Sequence, residues 1–284
     1  MAADDAVFLD TSIQIARFVH SPKIKRRIEN RISRYRISVT SLVVRQEFKR
    51  RLLKEANYLL RQLKRLGSVE EVQRHVHDAL PKQQDRKRRI SLQILMTVFE
   101  QDDSHDRTER AALFLRYLLR GGLDEFDELA GHVVEASRCA CGMADAREKK
   151  SGEFDFGTDK CSQTGGRCGV RDFLTKNEPQ MKNLATLFKG TPDQDKSEEV
   201  KRAEVFLEEA IGSLEHIEQR EPCLRVGDLL IALESLGVPA FFTMNGKESQ
   251  HFCRAFNQDL VVRRPNPDHD DIVCMRNVHP WPKF

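Results

Sequence analysis

A short unbroken apolar run, Ala6-Val7-Phe8-Leu9, opens the pattern and predicts a buried strand. Asp10-Thr11-Ser12 follows, and each of these residue types starts helices by capping free backbone N–H groups. Residues 22–34 predict a very basic helix, and Arg36-Ile37-Ser38-Val39 a second short strand. Past Thr40-Ser41, apolar side chains recur every three or four residues at Val44, Phe48, Leu52, Ala56, Leu59, Leu63 and Leu66, which predicts one long helix running to Gly67. The helical rhythm continues over 68–138, broken at Pro81, near 102–106 and at Gly121-Gly122. It stops over 139–171, where Gly, Cys and charge replace it. Helices are predicted again at 180–189 and from Ser197 onward, the second with an apolar stripe of Val200, Ala203, Phe206, Ala210, Leu214 and Ile217. Gly227-Asp228 then opens a short apolar helix that Gly237 closes. Residues 238–242 predict a strand, 243–246 a turn, 248–257 a helix and Leu260-Val261-Val262 a last strand. The fold class is therefore α/β, with β/α pieces at both chain ends bracketing a long, mostly α-helical middle. No solenoid-length repeat is present.

The chain is 284 residues long, 39% apolar and 32% charged, which excludes collagen-like and wholly disordered classes. Its longest apolar runs, such as Leu229-Leu230-Ile231-Ala232-Leu233, are too short to span a bilayer, so no membrane association is expected. The start, Met-Ala-Ala-Asp-Asp, is acidic where a signal peptide is basic, and a cytoplasmic protein is the expectation. Seven cysteines fit that compartment as thiols or metal ligands. Charge is unevenly spread: residues 17–90 hold 22 Lys and Arg against 7 Asp and Glu. Such a block fits either solvated helix faces or a surface that meets a polyanion.

Four segments carry candidate chemistry. Val7-Phe8-Leu9-Asp10-Thr11-Ser12 places an acid at the exit of the first strand. Residues 38–47 run from a strand through a turn to Glu47 on the next helix. Val226-Gly227-Asp228-Leu229-Leu230 sets an acid at a helix start, and Phe242-Thr243-Met244-Asn245-Gly246-Lys247-Glu248 forms a turn after a strand. Asp10 and Glu47 lie 37 residues apart, Asp228 and Glu248 20 apart. In order and spacing this resembles the PIN-domain nucleases, the fold of VapC-like toxins. The resemblance covers roughly 6–66 and 220–264. It implies that the two chain ends form one parallel sheet, in a nuclease domain of residues 1–66 and 220–284, and that the mostly α-helical middle, 67–219, is an insertion. It departs from the family at Glu248, where Asp is usual, and in the length of the insertion.

The resemblance implies that Asp10, Glu47, Asp228 and Glu248 are catalytic and hold Mg²⁺ or Mn²⁺, hard cations that favour carboxylate oxygen. Thr11, Ser12, Thr243 and Asn245 would shape the site; ordinary capping and turn hydrogen bonding explain the same residue types. One or two ions could both activate water and neutralise the leaving oxygen, so in-line hydrolysis would leave a 5′-phosphate and a 3′-hydroxyl. The implied activity is that of an endoribonuclease acting as a toxin or anti-phage effector. A degenerate PIN-fold RNA-binding or assembly module and a DNA nuclease are the alternatives.

Cys139, Cys141, Cys161 and Cys168 lie in the segment without helical rhythm, and four thiolates on a loop too polar for a core suggest a structural Zn²⁺. Free thiols and a disulfide are the other readings. Cys223, Cys253 and Cys274 sit beside apolar runs and are expected in the core. His251 and His279 are expected to have no catalytic role. Arg45, Lys49, Arg50 and Arg51 flank Glu47, and Arg86, Lys87, Arg88 and Arg89 form a second basic group. Arg45, Lys49, Arg50 and residues 86–89 are the expected RNA contacts, binding phosphate and shape, as on a folded RNA such as tRNA. With one Trp and three Tyr, base stacking is a minor contribution. An antitoxin or activating defence protein is the other expected partner, and a homo-oligomer is compatible with the sequence.

Overall fold

The computed structural model describes residues 5–79, 85–99, 107–150, 152–156, 168–216, 223, 225–264 and 271–275. Strand β1 (Ala6–Leu9) leads through Asp10 into α1 (Thr11–Val19), and α2 (Pro22–Ile32) returns the chain to β2 (Ile37–Ser41). Ser41 caps α3 (Leu42–Phe48), its hydroxyl accepting from the Val44 N–H at 3.3 Å. A π-helical turn, Lys49–Leu53, joins α3 to α4 (Lys54–Leu66), which ends at Gly67 in the left-handed region, φ +83°. Helices α5 (Val69–Ala79), α6 (Asp85–Phe99) and α7 (Arg107–Ala130) follow, and β3 (His132–Val134) comes next. The rest of the middle comprises α8 (Ala140–Met143), the hairpin β4 (Arg147–Glu148) and β5 (Phe154–Asp155), α9 (Val170–Lys176), α10 (Glu178–Gly190) and α11 (Glu198–Ala210). The chain then forms α12 (Gly227–Glu234), β6 (Ala240–Thr243), α13 (Gly246–Ala255), β7 (Asp259–Arg264) and β8 (Asp271–Met275).

The main sheet has the order β3-β2-β1-β6-β7-β8, parallel except for β8. Alternation along β1 explains its place at the centre. Val7 and Leu9 pack with Ile13, Ile28, Ile32 and Phe242 on the face covered by α1 and α2. Phe8 points to the other face, into the larger core with Phe241, Leu260 and the helices of the middle region. Both faces are covered, as a parallel sheet requires. From β1 the chain first moves outward through β2 and β3, then crosses back to β6. The C-terminal ends of β1 and β6 therefore flank the switch point where doubly wound sheets form their crevice. Among the described residues no helix is long and apolar enough to cross a membrane.

Three features depart from the sequence reading. Residues 132–134 form a strand where helix was expected; Gly131, at φ +72°, stops α7, and three residues are too few to show a period of two. The insertion 67–219 thus lends a strand to the sheet and shares one continuous core with it. Strand β8 was not expected either, and Cys274 on this sheet edge is exposed rather than buried. The 139–171 segment also contributes to the core: Cys139, Cys141, Phe156 and Cys168 are all buried.

Glu234 fastens the middle region to the sheet domain. Its two carboxylate oxygens accept the backbone N–H of Val43 and of Ser137, each at 3.3 Å. Burial raises its pKa from 4.5 to about 6, more than these hydrogen bonds lower it. The unfolded chain loses this proton near 4.5 and the folded chain near 6, so this group's contribution to stability falls as pH rises through that window. The stability difference between wild type and Glu234→Gln should therefore fall by about 2 kcal/mol from below to above the window. Denaturant titrations across pH check this, and a pH-independent difference would remove Glu234 as the cause.

Candidate functional site

Asp10 leaves β1 with its N–H bonded to the Phe242 carbonyl of β6, so its backbone continues the sheet. Its side chain turns back to cap α1. Oδ1 accepts the Thr11 N–H at 2.7 Å, and Oδ2 accepts the hydroxyls of Ser12 at 2.7 Å and Thr243 at 2.8 Å. Those hydroxyls are themselves aimed by backbone donors: Met244 N–H donates to Ser12 at 2.9 Å and Asn245 N–H to Thr243 at 3.0 Å. The network ties the ends of β1 and β6 together and fixes Asp10 in one orientation. Thr11 donates its hydroxyl to Glu47 Oε2 at 3.0 Å, bringing the third element, α3, to the same place.

Asp10 and Glu47 are both buried, while Asp228 and Glu248 are partly exposed in the first turns of α12 and α13. A small crevice is lined by Asp10, Asp228, Asn245 and Glu248, with Ile231, Phe241 and Phe252 as apolar wall. The fourth carboxylate joins through Arg51. Its guanidinium donates to Glu47 Oε1 at 2.9 Å and lies 3.9 Å from Asp228 Oδ1. Burial works against the Arg51 charge. The fields of Glu47, Asp228, Asp10 and Glu248 outweigh it, so its pKa lies above the ordinary value. Of the four acids expected from the sequence, Glu47 and Asp228 thus flank Arg51, while Asp10, Asp228 and Glu248 line the crevice, with Thr11, Ser12, Thr243 and Asn245 beside them.

These are hard oxygen donors, of the class that Mg²⁺ and Mn²⁺ take. As the side chains stand, no group of three or more Asp, Glu, His or Cys among the described residues is arranged to hold a metal ion.

Two residues at this site are not singled out by the sequence pattern. Arg51 stands i,i+4 from Glu47, a spacing that signals an ion pair. Gly227 was read only as a helix opener. A Cβ at this position would lie 2.5 Å from Glu47 Oε1, so glycine here makes room for the carboxylate. Gly227→Ala should displace Glu47 and lower turnover by roughly 10- to 100-fold, in line with the cost of a small misplacement. The melting temperature should fall modestly, since alanine suits a first helical turn but the displaced, buried Glu47 weakens its bonds to Thr11 and Arg51. Wild-type turnover in this variant would free Glu47 from any positional demand.

Arg45 and Lys49 require correction. Both are buried and face away from the crevice, toward the turn at 141–145. Arg45 pairs with both oxygens of Asp127 at 2.8 Å, with Asp145 at 3.0 Å and with the Gly142 carbonyl at 2.7 Å. The Lys49 ammonium donates to the carbonyls of Cys141, Gly142 and Ala144. Burial, then the nearby Arg45 charge, lowers its pKa to about 8. Neither is free to meet a phosphate. Arg50 is half-buried and reaches the Cys223 carbonyl at 3.4 Å. Arg89 is exposed on α6, and the side chains of Arg86, Lys87 and Arg88 lie outside the described residues. Lys23, Arg26, Arg34 and Arg36 are exposed on and after α2.

Cys139, Cys141 and Cys168, three of the four expected zinc ligands, are buried thiols. Cys139 donates to Gln46 Oε1 at 3.8 Å, and a hydrogen bond with Cys223 holds its pKa below the ordinary value against the effect of burial. Cys161 lies outside the described residues, as does His279. His251 is buried against Phe188, with Nε2 3.2 Å from the Asp195 carbonyl, and burial lowers its pKa. No protein-family model, no curated protein and no solved structure matches the chain.

Proposed function

We propose that this chain is a metal-dependent endoribonuclease of the PIN type, hydrolysing phosphodiester bonds in RNA. One observation carries the reading: Asp10, Asp228 and Glu248, drawn from three separate elements, line the switch-point crevice, and Arg51 ties Asp228 to Glu47 of a fourth. Capping alone does not require four acids to converge. Mg²⁺ or Mn²⁺, when bound by these carboxylates, would supply an acidified water and neutralise charge on the leaving oxygen. The chain's own part is positional. Ser12 and Thr243 hold Asp10, Thr11 holds Glu47, and the walls of Ile231, Phe241 and Phe252 limit water at the crevice. The exposed cations of α2 and its exit offer a phosphate path. The choice of RNA over DNA, and a setting as a toxin or anti-phage effector, rest on the family resemblance.

A second reading is an RNA-binding module of the same fold without turnover. Arg51 standing among the carboxylates, and Glu248 where the family has Asp, favour it. Incubating the protein with total RNA and with matched single-stranded DNA, in Mg²⁺ or Mn²⁺ and in chelator, separates the readings. New RNA ends bearing 5′-phosphates, seen only with metal, support the nuclease. Binding without cleavage in either metal supports the module, and preferential DNA cleavage identifies a DNA nuclease.

The structural Zn²⁺ belongs to this proposal only with Cys161 completing a set of Cys139, Cys141 and Cys168. Elemental analysis of protein purified without added metal should then give about one zinc per chain.

A further inference from the structure

The Arg51 side chain is not placed as a surface cation would be. It extends from the π-helical turn between α3 and α4, is only 20% exposed, and donates to Glu47 at 2.9 Å while approaching Asp228 to 3.9 Å. Glu47 has a second donor in Thr11 on its other oxygen, so its carboxylate is held from both sides. Gly227 leaves the space in which this carboxylate sits. Without a positive charge, Glu47 and Asp228 would repel each other and Asp10 in a poorly hydrated crevice.

We infer that Arg51 is a built-in counter-ion of the acidic crevice, which holds the carboxylates together in the empty site and competes with a divalent cation for Glu47 and Asp228. This rests on the metal reading proposed above and deepens it. A fixed positive charge against the ligands lowers their affinity for a second cation, because the ion must either displace the guanidinium or bind beside it. The site would thus fill only above a raised metal concentration. Once released from Glu47, the guanidinium is a bidentate donor suited to a phosphate. The same residue would serve the empty site as a counter-ion and the substrate complex as a phosphate ligand.

The test is calorimetric titration of Mn²⁺ alone, without RNA, into wild type, Arg51→Gln and Arg51→Lys. Removing the charge should tighten Mn²⁺ binding by about ten-fold or more, with Arg51→Lys between Gln and wild type because its single ammonium cannot hold the same geometry. Metal-free Arg51→Gln should also melt lower than wild type, and Mn²⁺ should raise its melting temperature more. If Arg51→Gln does not fold, the comparison of Arg51→Lys with wild type decides. Equal or weaker Mn²⁺ binding in the folded variants overturns the counter-ion role and leaves the metal reading intact. No Mn²⁺ binding by wild type or any variant removes the metal reading, and this inference with it.

Discussion

Asp10→Asn should fold as wild type does and, on the proposed nuclease reading, cleave RNA at least about 100-fold more slowly, because it removes a charged group from the proposed metal site while sparing its scaffold. Asp10 Oδ2 accepts two hydroxyls, from Ser12 and Thr243, and the amide oxygen of asparagine can take both. What remains is the Thr11 N–H, which loses its acceptor on Oδ1. A lost helix cap costs about 1 kcal/mol, too little to unfold a domain of this size. Core residues on both sides of β1 are untouched, so a loss of activity in a variant with a wild-type melting curve would isolate the charge. Asp228→Asn should behave alike, since its carboxylate is partly exposed and stands inside the first turn of its helix, whose N-cap is Val226. Full cleavage by both variants on the same RNA would remove the site assignment. Loss in Asp10→Asn alone would leave Asp228 as a first-turn acid of its helix.

The positions of Asp10, Asp228 and the 243–248 turn were legible because strand exits and helix starts leave local marks. A continuous apolar run ending in Asp-Thr-Ser needs no distant information, and neither does Thr-Met-Asn-Gly after Phe241-Phe242. The edge strands were not legible. β3 is three residues long, and β8 returns antiparallel from outside the parallel pattern. Their identity as strands depends on a neighbour with unpaired backbone groups, which periodicity does not report. The same limit explains Arg45, Lys49 and Arg51. Sequence shows that the helix after Ser41 is basic, but not that its faces meet different chemistry. Lys49 and Arg45 meet carbonyls and acids more than eighty residues away, while Arg51 meets carboxylates from both chain ends. Nor does any spacing rule report that Cys139 comes within hydrogen-bonding reach of Cys223, far along the chain.

Arg45→Leu should lower unfolding free energy by about 3 kcal/mol, at the lower end of the cost of breaking a buried ion pair. Three losses combine. The Gly142 carbonyl loses its 2.7 Å donor in a buried turn and keeps only the long contact from Lys49 at 3.4 Å, and a weakly met acceptor is costly there. Asp127 loses both of its hydrogen bonds to the guanidinium, and the planar side chain no longer fills the space between α3 and α7. The cost stays at the lower end because the Asp127 and Asp145 side chains are 42% and 75% exposed, so water can take over their solvation. Part of the loss is returned by Lys49, whose pKa is held down first by burial and next by the Arg45 charge. With that charge gone, the ammonium beside Cys139 and Cys141 is easier to keep, and its pKa should rise from about 8. Chemical denaturation measures the stability, and the pH dependence of the difference between Arg45→Leu and wild type near pH 8 reports Lys49. RNA affinity, measured well below the melting temperature, should be unchanged. A variant with wild-type stability and weakened RNA binding would return Arg45 to the phosphate path, and the clamp between α3 and the 141–145 turn would then have to rest on Lys49.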